Sequence, residues 1–457
     1  MDVASPNKIG ITASLVTLGQ SIDWNLMPDD VRHAAKRHLL DTVGAMIAGL
    51  SGNVAGAVSQ MQTDAGQNGF RVPGSRLMRT PLDIAYLCGT AAHSLELDDG
   101  YRPGSVHAGV AVVPALIAAC GLKPTSGKTL LAALVAGYET ICALSEAFHP
   151  ALRDRGFHPT SAVGPFGAAM AVARMRGQSE ALISNTLGLA ASEAGGLFAF
   201  LDGGGDVKRL HGGIAARAGL QATLLAEKGI LAPSDIIERP SGFAQAFAGV
   251  YPGAMEALVL PPARWRMTEC YIKPYACCRH LHPALEALIS LRDEHGLTPD
   301  NVKSIKVETY SIAAKHAATG WQDMASAQLS FPYVMALGLE FGSGALRLFE
   351  DETRNSGVAE RIAPLLSFEG TAEMDALYPA NRPARVSIET DKGRFIRFQK
   401  EAMGSAEIPV SDEALRTKFL DLVAPVMGND AASRLHDGLW ALEELADTTS
   451  LFAGDGQ

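Results

Sequence analysis

LDIAYLCGTAA-HSLELDDGYRPGSVHAG-VAVVPALIAAC, residues 82–120, sets two apolar, small-residue segments around a charged block. The flanks (82–92 and 110–120) have the Ala, Leu, Val and Ile content of buried helices. Between them stand Glu96, Asp98 and Asp99, a Tyr-Arg-Pro-Gly-Ser turn, and then His107. Acid clusters ordinarily sit in water, where their charge costs nothing to solvate. Held between buried helices, such a cluster is expensive unless it is paired or functional. One reading makes an acid and His107 a proton-transfer pair at a pocket mouth. The other makes the block an exposed loop whose aspartates cap the next helix. Spacing leaves both open, because i, i+2 and i, i+3 separations put only some of the acids on one side.

Outward from this block the same helical spacing recurs at 29–50, 82–97, 109–120, 127–147, 161–176, 179–192 and 212–229. The first 230 residues therefore read as all-helical, divided by Gly/Pro loops at 69–81 and 201–206. After Pro261-Pro262 the pattern changes. KSIKVETY (303–310) alternates like a half-buried strand, and ARVSIETDKGRFIRFQK (384–400) reads as a hairpin turning at Asp391-Lys392-Gly393. With helices over 275–295 and 330–348, this middle section is an α+β unit of roughly 130 residues. Helical periodicity returns over 411–446, and the terminal TTSLFAGDGQ reads as frayed. The fold class is mainly α: a large all-helical domain, formed from both ends of the chain, with a smaller α+β domain inserted.

Composition narrows the function. At 457 residues the chain exceeds one ordinary core. It is 47% apolar but only 6% aromatic, which suits close-packed helices. A net charge of −10 with no Lys/Arg run argues against nucleic acid. An anionic substrate then needs a local cluster of basic residues. The N-terminus lacks a basic region followed by an apolar stretch, and the 110–120 run is too short to span a bilayer, so neither a signal peptide nor a membrane is expected. Six scattered cysteines form no disulfide framework, which points to a reducing cytoplasm.

Three further clusters carry chemistry. In RGFHPTSAVGPFGAA (155–169), His158 precedes a helix start, where it can meet an anion or simply cap. In LDGGGDVKRLHGG (201–213), the glycines fit no phosphate-loop pattern. Lys208, Arg209 and His211 ahead of a helix make a carboxylate-binding site, or else a solvated helix start. In YIKPYACCRHLHPALEALISL (271–291), Lys273, Arg279, His280 and His282 crowd together. Cys277-Cys278 beside them lacks the second pair or HExxH that zinc requires, so no metal is expected. Ser330-Phe331-Pro332-Tyr333 places a tyrosine at a helix start, where a half-buried aromatic is the plainer role.

In this order, LLDTVGAMIAGL, HSLELDDG…HAG, FHPTSAVGPFGAA, KRLHGGIAARAGL, KPYACCRHLHPA, SFPYVMAL and PVSDEALRTKFLDLVAP resemble the MmgE/PrpD family over nearly the whole chain. That family contains 2-methylcitrate dehydratase, cis-aconitate decarboxylase and iminodisuccinate epimerase. The resemblance implies a helical domain over 1–266 and 398–457, an α+β lid over 267–397, and a cofactor-free homodimer with its site between the domains. Position by position it implies an acid at Glu96, catalytic histidines at His107 and His158, lysines at Lys208 and Lys273, and a tyrosine at Tyr333. Two departures stand out: the acid block ends in Gly100, losing a hydroxyl, and Cys278 replaces a histidine of the decarboxylase-like branch.

The expected chemistry is proton transfer at a carbon next to a carboxylate of a small di- or tricarboxylic acid, with fixed positive charge supporting an enolate-like intermediate. Lys208, Lys273 and Arg279 would hold carboxylates, with Asp98, Arg209, His211, Cys278 and His280 as further binding residues. His107 would be the base, oriented by Glu96 or Asp98, and His158 or Tyr333 would protonate a leaving hydroxyl. A dehydratase is the leading expectation and a decarboxylase or epimerase the alternative. A non-catalytic carboxylate-binding relative and a zinc hydrolase using His280 and His282 are the other classes weighed.

Overall fold

A computed structural model describes residues 10–200, 205–250 and 264–453. The chain is mainly helical and divides into two compact units. The first comprises 1–94, 98–271 and 412–457, and the second 95–97 and 272–411. The Pro261-Pro262 boundary and Gly203-Gly204 lie outside the described residues.

In the first unit, helices Pro81–Ala92, Gly109–Cys120, Gly127–Phe148, Pro159–Met175 and Val207–Glu227 pack as one buried bundle. Small residues let the backbones approach. A Cβ added at Gly213 would strike the Tyr86 carbonyl and Thr90 of the Pro81–Ala92 helix. Every residue of Gly109–Cys120 is buried. Gly127–Phe148, at 22 residues, is long and apolar enough to cross a membrane, but 89% of its most apolar window is buried among neighbouring helices. The C-terminal helix Asp412–Met427 packs on Asp29–Gly49, where Lys418 reaches the buried Asp41 at 2.6 Å.

Several boundaries differ from the sequence reading. The helix expected over 82–97 stops at Ala92, where the His93 N–H bonds back to the Gly89 carbonyl and the acid block begins in turns. The helix expected from 212 starts at Val207, so Lys208, Arg209 and His211 lie within its first turns rather than ahead of it. Within the "all-helical" region, β1 (Phe70–Arg71) and β2 (Met78–Arg79) pair as a short antiparallel ribbon. Of the terminal stretch expected to fray, Thr449–Ala453 forms a helical turn and 454–457 lie outside the described residues.

The second unit carries a four-stranded sheet of β3 (Val302–Thr309), β4 (Leu366–Gly370), β5 (Ala384–Thr390) and β6 (Gly393–Gln399) in the order β4-β3-β5-β6. β3 runs antiparallel to β5 and parallel to β4, a strand the sequence reading did not include. Helix His282–His295 packs on β5 and β6, and Phe331–Phe341 packs on that helix. Residues 400–411 stay with this unit because Arg279 donates to the Ala402 and Met403 carbonyls and Ile272 N–H donates to Gly404. Residues 267–271 stay with the first unit: Met267 N–H donates to Glu139, and Tyr271 pairs with Gly100.

Candidate active site

The three acids of the opening block do three different things. Asp99, fully buried, accepts from the Gly109 N–H at 3.0 Å and from the Tyr138 hydroxyl at 2.7 Å, with His38 Nδ1 3.0 Å away. It secures the first N–H of helix Gly109–Cys120, as the capping reading expected of an aspartate, but from a buried block rather than an exposed loop. Asp98, also buried, sits 2.7 Å from His107 Nδ1 and 2.9 Å from His93 Nδ1. Glu96 belongs to the second unit.

His107 is fixed from one side. Its Nδ1 faces the Asp98 carboxylate and, at 2.6 Å, the Asp99 carbonyl, which can only accept. Nδ1 therefore carries a hydrogen, which leaves Nε2 as the nitrogen that can act as a general base. The ring is partly exposed, at 14%. Around it, within the same unit, three more histidines converge. The His93 ring lies 5.2 Å from His107 and stacks on His158 at 5.9 Å, and His158 Nδ1 meets His211 Nδ1 at 2.8 Å. Such a nitrogen pair must share one hydrogen, so it cannot be doubly charged.

Burial, partly opposed by Asp98, brings His93 down to about 4. Burial, with His93 and Lys208, brings His211 to about 4 as well. His158 is pushed well below its ordinary value by burial and by the neighbouring imidazoles and Lys208. These are neutral rings at neutral pH, with Lys208 the nearby cation. Phe198 and Phe200 close on His158 at 5.4 and 5.2 Å. His93 Nε2 and Ser161 Oγ are buried without a hydrogen-bond partner among the described residues, as in a site built to receive a polar ligand. An open cleft of about 450 Å³ lined by Trp24, His33, Lys36 and Glu443 shares no residue with this cluster.

The second unit has its own polar cluster. Lys273 is 1% exposed, and its Nζ lies 3.2 Å from Glu96 Oε2. Glu96 holds a φ of 53°, a left-handed conformation that costs a non-glycine residue of order 1 kcal/mol and collects at functional sites. Gln328 tethers this segment, donating to the Leu95 carbonyl at 2.7 Å and the Ala276 carbonyl at 2.9 Å. Cys278 Sγ stands 3.9 Å from His316 Nε2, and His280 Nδ1 contacts the Tyr310 hydroxyl.

Family models match over residues 14–252, as the MmgE/PrpD N-terminal domain, and 275–444, as the MmgE/PrpD C-terminal domain. The chain belongs to the MmgE/PrpD family. It is 26% identical over 468 residues to a cis-aconitate decarboxylase-like protein of Aspergillus oryzae, covering 97% of this chain and 96% of that one. It is also 26% identical to the cis-aconitate decarboxylases of Aspergillus terreus (97% and 95% covered) and Mus musculus (96% and 92% covered).

Of the residues singled out in the sequence, the structure brings Asp98, His107, His158, Lys208 and His211 together in the first unit, and Glu96 with Lys273 in the second. Others are committed elsewhere. Arg279 spends its guanidinium on the Met403 and Ala402 carbonyls at 2.6 and 2.8 Å, with Glu401 at 3.7 Å, so it ties down the 401–403 loop. The Tyr333 hydroxyl donates to the Leu348 carbonyl at 2.6 Å in a buried aromatic setting with Trp321 and Phe349, which fits the plainer role. Arg209 pairs with Asp206 at 3.0 Å. His282 is buried against the Cys277 carbonyl, and among the described residues no three His, Cys, Asp or Glu side chains group as metal ligands.

Sequence reasoning missed His93, Gln328 and His316. The first had a readable signal, as the polar residue opening the acid block five positions before Asp98. The other two lie in segments without distinctive spacing and gain their partners only through the fold.

Proposed function

We propose that this protein is a cofactor-independent lyase, a dehydratase first, acting by proton transfer at the carbon next to a carboxylate of a small di- or tricarboxylic acid. The observation that carries the reading is His107: Nδ1 hydrogen-bonded to Asp98 and the Asp99 carbonyl, which leaves Nε2 as the nitrogen able to take a proton, inside a ring of neutral imidazoles with one lysine. Nε2 takes the carbon-bound proton, and Asp98 stabilises the imidazolium that forms. Lys208 offsets the charge developing on the adjacent carboxylate. The His158–His211 pair, being neutral, donates an N–H hydrogen bond to the leaving hydroxyl, which departs as water with the proton His107 took from carbon. From the family resemblance, Lys273, held by Glu96 within the second unit, is a candidate carboxylate-binding residue.

Decarboxylation is the second reading, favoured by the names of the relatives. Two residues weigh against it as the first choice. Gly100 packs so tightly on Tyr271 that a side chain would collide with the phenol ring, so no hydroxyl follows Asp98-Asp99. Cys278 stands where the decarboxylase-like pattern has a histidine. A homodimer in the cytoplasm belongs to the same proposal and rests on the family resemblance and the scattered cysteines. Incubation with citrate, 2-methylcitrate, cis-aconitate and iminodisuccinate in deuterated water, followed by NMR, tests it. Loss of water supports dehydration and release of carbon dioxide supports the second reading. Exchange without net product indicates epimerisation, and inertness toward all four removes this substrate class.

A further inference from the structure

Cys278 differs from every other cysteine in the chain. Cys88, Cys120, Cys142, Cys270 and Cys277 are buried, whereas Cys278 is only partly covered. Burial pushes the Cys88 thiol up to about 12 and Cys120 to about 11, and raises Cys142, Cys270 and Cys277 as well. At Cys278 alone the imidazole 3.9 Å away reverses that sense. Burial still opposes ionisation, but His316 outweighs it and the thiol falls below its ordinary value. His316 moves the opposite way: burial lowers it, while Cys278, the main chain of Leu329 and the Glu96 carboxylate together bring it above its ordinary value. Both shifts run in the sense expected of a thiol whose proton a neighbouring imidazole can take. The other groups facing the pair are Glu96, which opposes ionisation of the thiol, Tyr310 and Cys277, which burial keeps protonated, and His280, whose ring stacks on His316 at 6.0 Å.

We propose that Cys278, partly exposed and with the His316 imidazole 3.9 Å from its sulfur to take its proton, is a modification site for soft carbon electrophiles. When the thiol reacts, the S–H bond breaks as an N–H bond forms on His316 Nε2, with no change of oxidation state. Toward an alkyl halide, the sulfur lone pair forms the C–S bond as the carbon–halogen bond breaks and halide leaves. This reactivity does not depend on which lyase reaction the protein performs, and its test reads sulfur chemistry rather than turnover.

The test is limited iodoacetamide labelling of the folded full-length chain across a pH series, with peptide mass spectrometry assigning each site. Cys278 is expected to label first, with a rate that reaches half its maximum below the ordinary thiol range near pH ~8.5. In His316→Gln the Cys278 rate at about pH 7 should fall roughly tenfold or more, since each unit of thiol pKa changes the thiolate fraction about tenfold. Cys278→Ser should abolish the early label. Labelling of Cys278 no faster than the other cysteines, or a half-maximum at or above the ordinary range, overturns the proposal. An unchanged rate in folded His316→Gln does so too. Should that variant fail to fold, the native rate-versus-pH curve decides alone.

Discussion

Asp98→Asn isolates the electrostatic part of the His107 mechanism. Asparagine keeps the size and one carbonyl acceptor of Asp98, and the Asp99 carbonyl still holds the Nδ1 hydrogen of His107 at 2.6 Å, so the base keeps its orientation and tautomer. What disappears is the negative charge 2.7 Å from Nδ1 that stabilises the imidazolium formed as His107 takes the proton. Charges about 4 Å apart interact by about 4 kcal/mol at an effective dielectric of about 20. At 1.36 kcal/mol per tenfold that is a loss of about 10³ in kcat. His93, 2.9 Å from the same carboxylate, is already neutral and needs less from it, so the loss should concentrate on kcat. The assay is steady-state turnover of whichever acid the substrate panel identifies, alongside circular dichroism and thermal melting to establish that the variant folds. A folded Asp98→Asn enzyme within fivefold of native kcat would refute the role given to this carboxylate.

Stability should fall on acidification because of the buried imidazoles. His93 drops from 6.5 to about 4 on folding, so the unfolded chain binds the proton first; its contribution is complete above about 6.5 and is lost toward 4. At 1.36 kcal/mol per unit that is roughly 3 kcal/mol for His93, with His211 acting in the same window. Urea unfolding at several pH values should show this decline, and a flat profile contradicts it. Gly100→Thr should cost about 1–3 kcal/mol through collision with Tyr271, read as a lowered Tm that Tyr271→Ala partly restores. Tyr333→Phe should lose about 1 kcal/mol with its bond to the Leu348 carbonyl while kcat stays within a few-fold of native; a loss of 10² or more would return Tyr333 to the chemistry.

The helical unit was largely legible because its helices are apolar on nearly every side, as Gly109–Cys120 shows, and are separated by Gly and Pro. The hairpin of β5 and β6 announced itself by alternation. β4 did not, since its alternation, Leu366-Ser367-Phe368-Glu369, is only four residues long before Gly370 ends the strand. Charge was the readable sign of the site, and it located Asp98, His107 and Lys208. It could not separate working cations from structural ones: Arg279 looks like a carboxylate ligand in sequence and is spent on carbonyls some 120 residues further along the chain. The acid block resolved only in three dimensions, into a helix-securing Asp99, an imidazole-orienting Asp98 and a Glu96 paired to Lys273.

The most direct test of the central claim replaces His107 with glutamine, which fills similar space but cannot accept a proton from carbon. With the acid on which the native protein acts, solvent deuterium incorporation and product formation should fall together by about 10²–10⁴ in a folded His107→Gln variant. Near-native exchange at the carbon next to the carboxylate would contradict it.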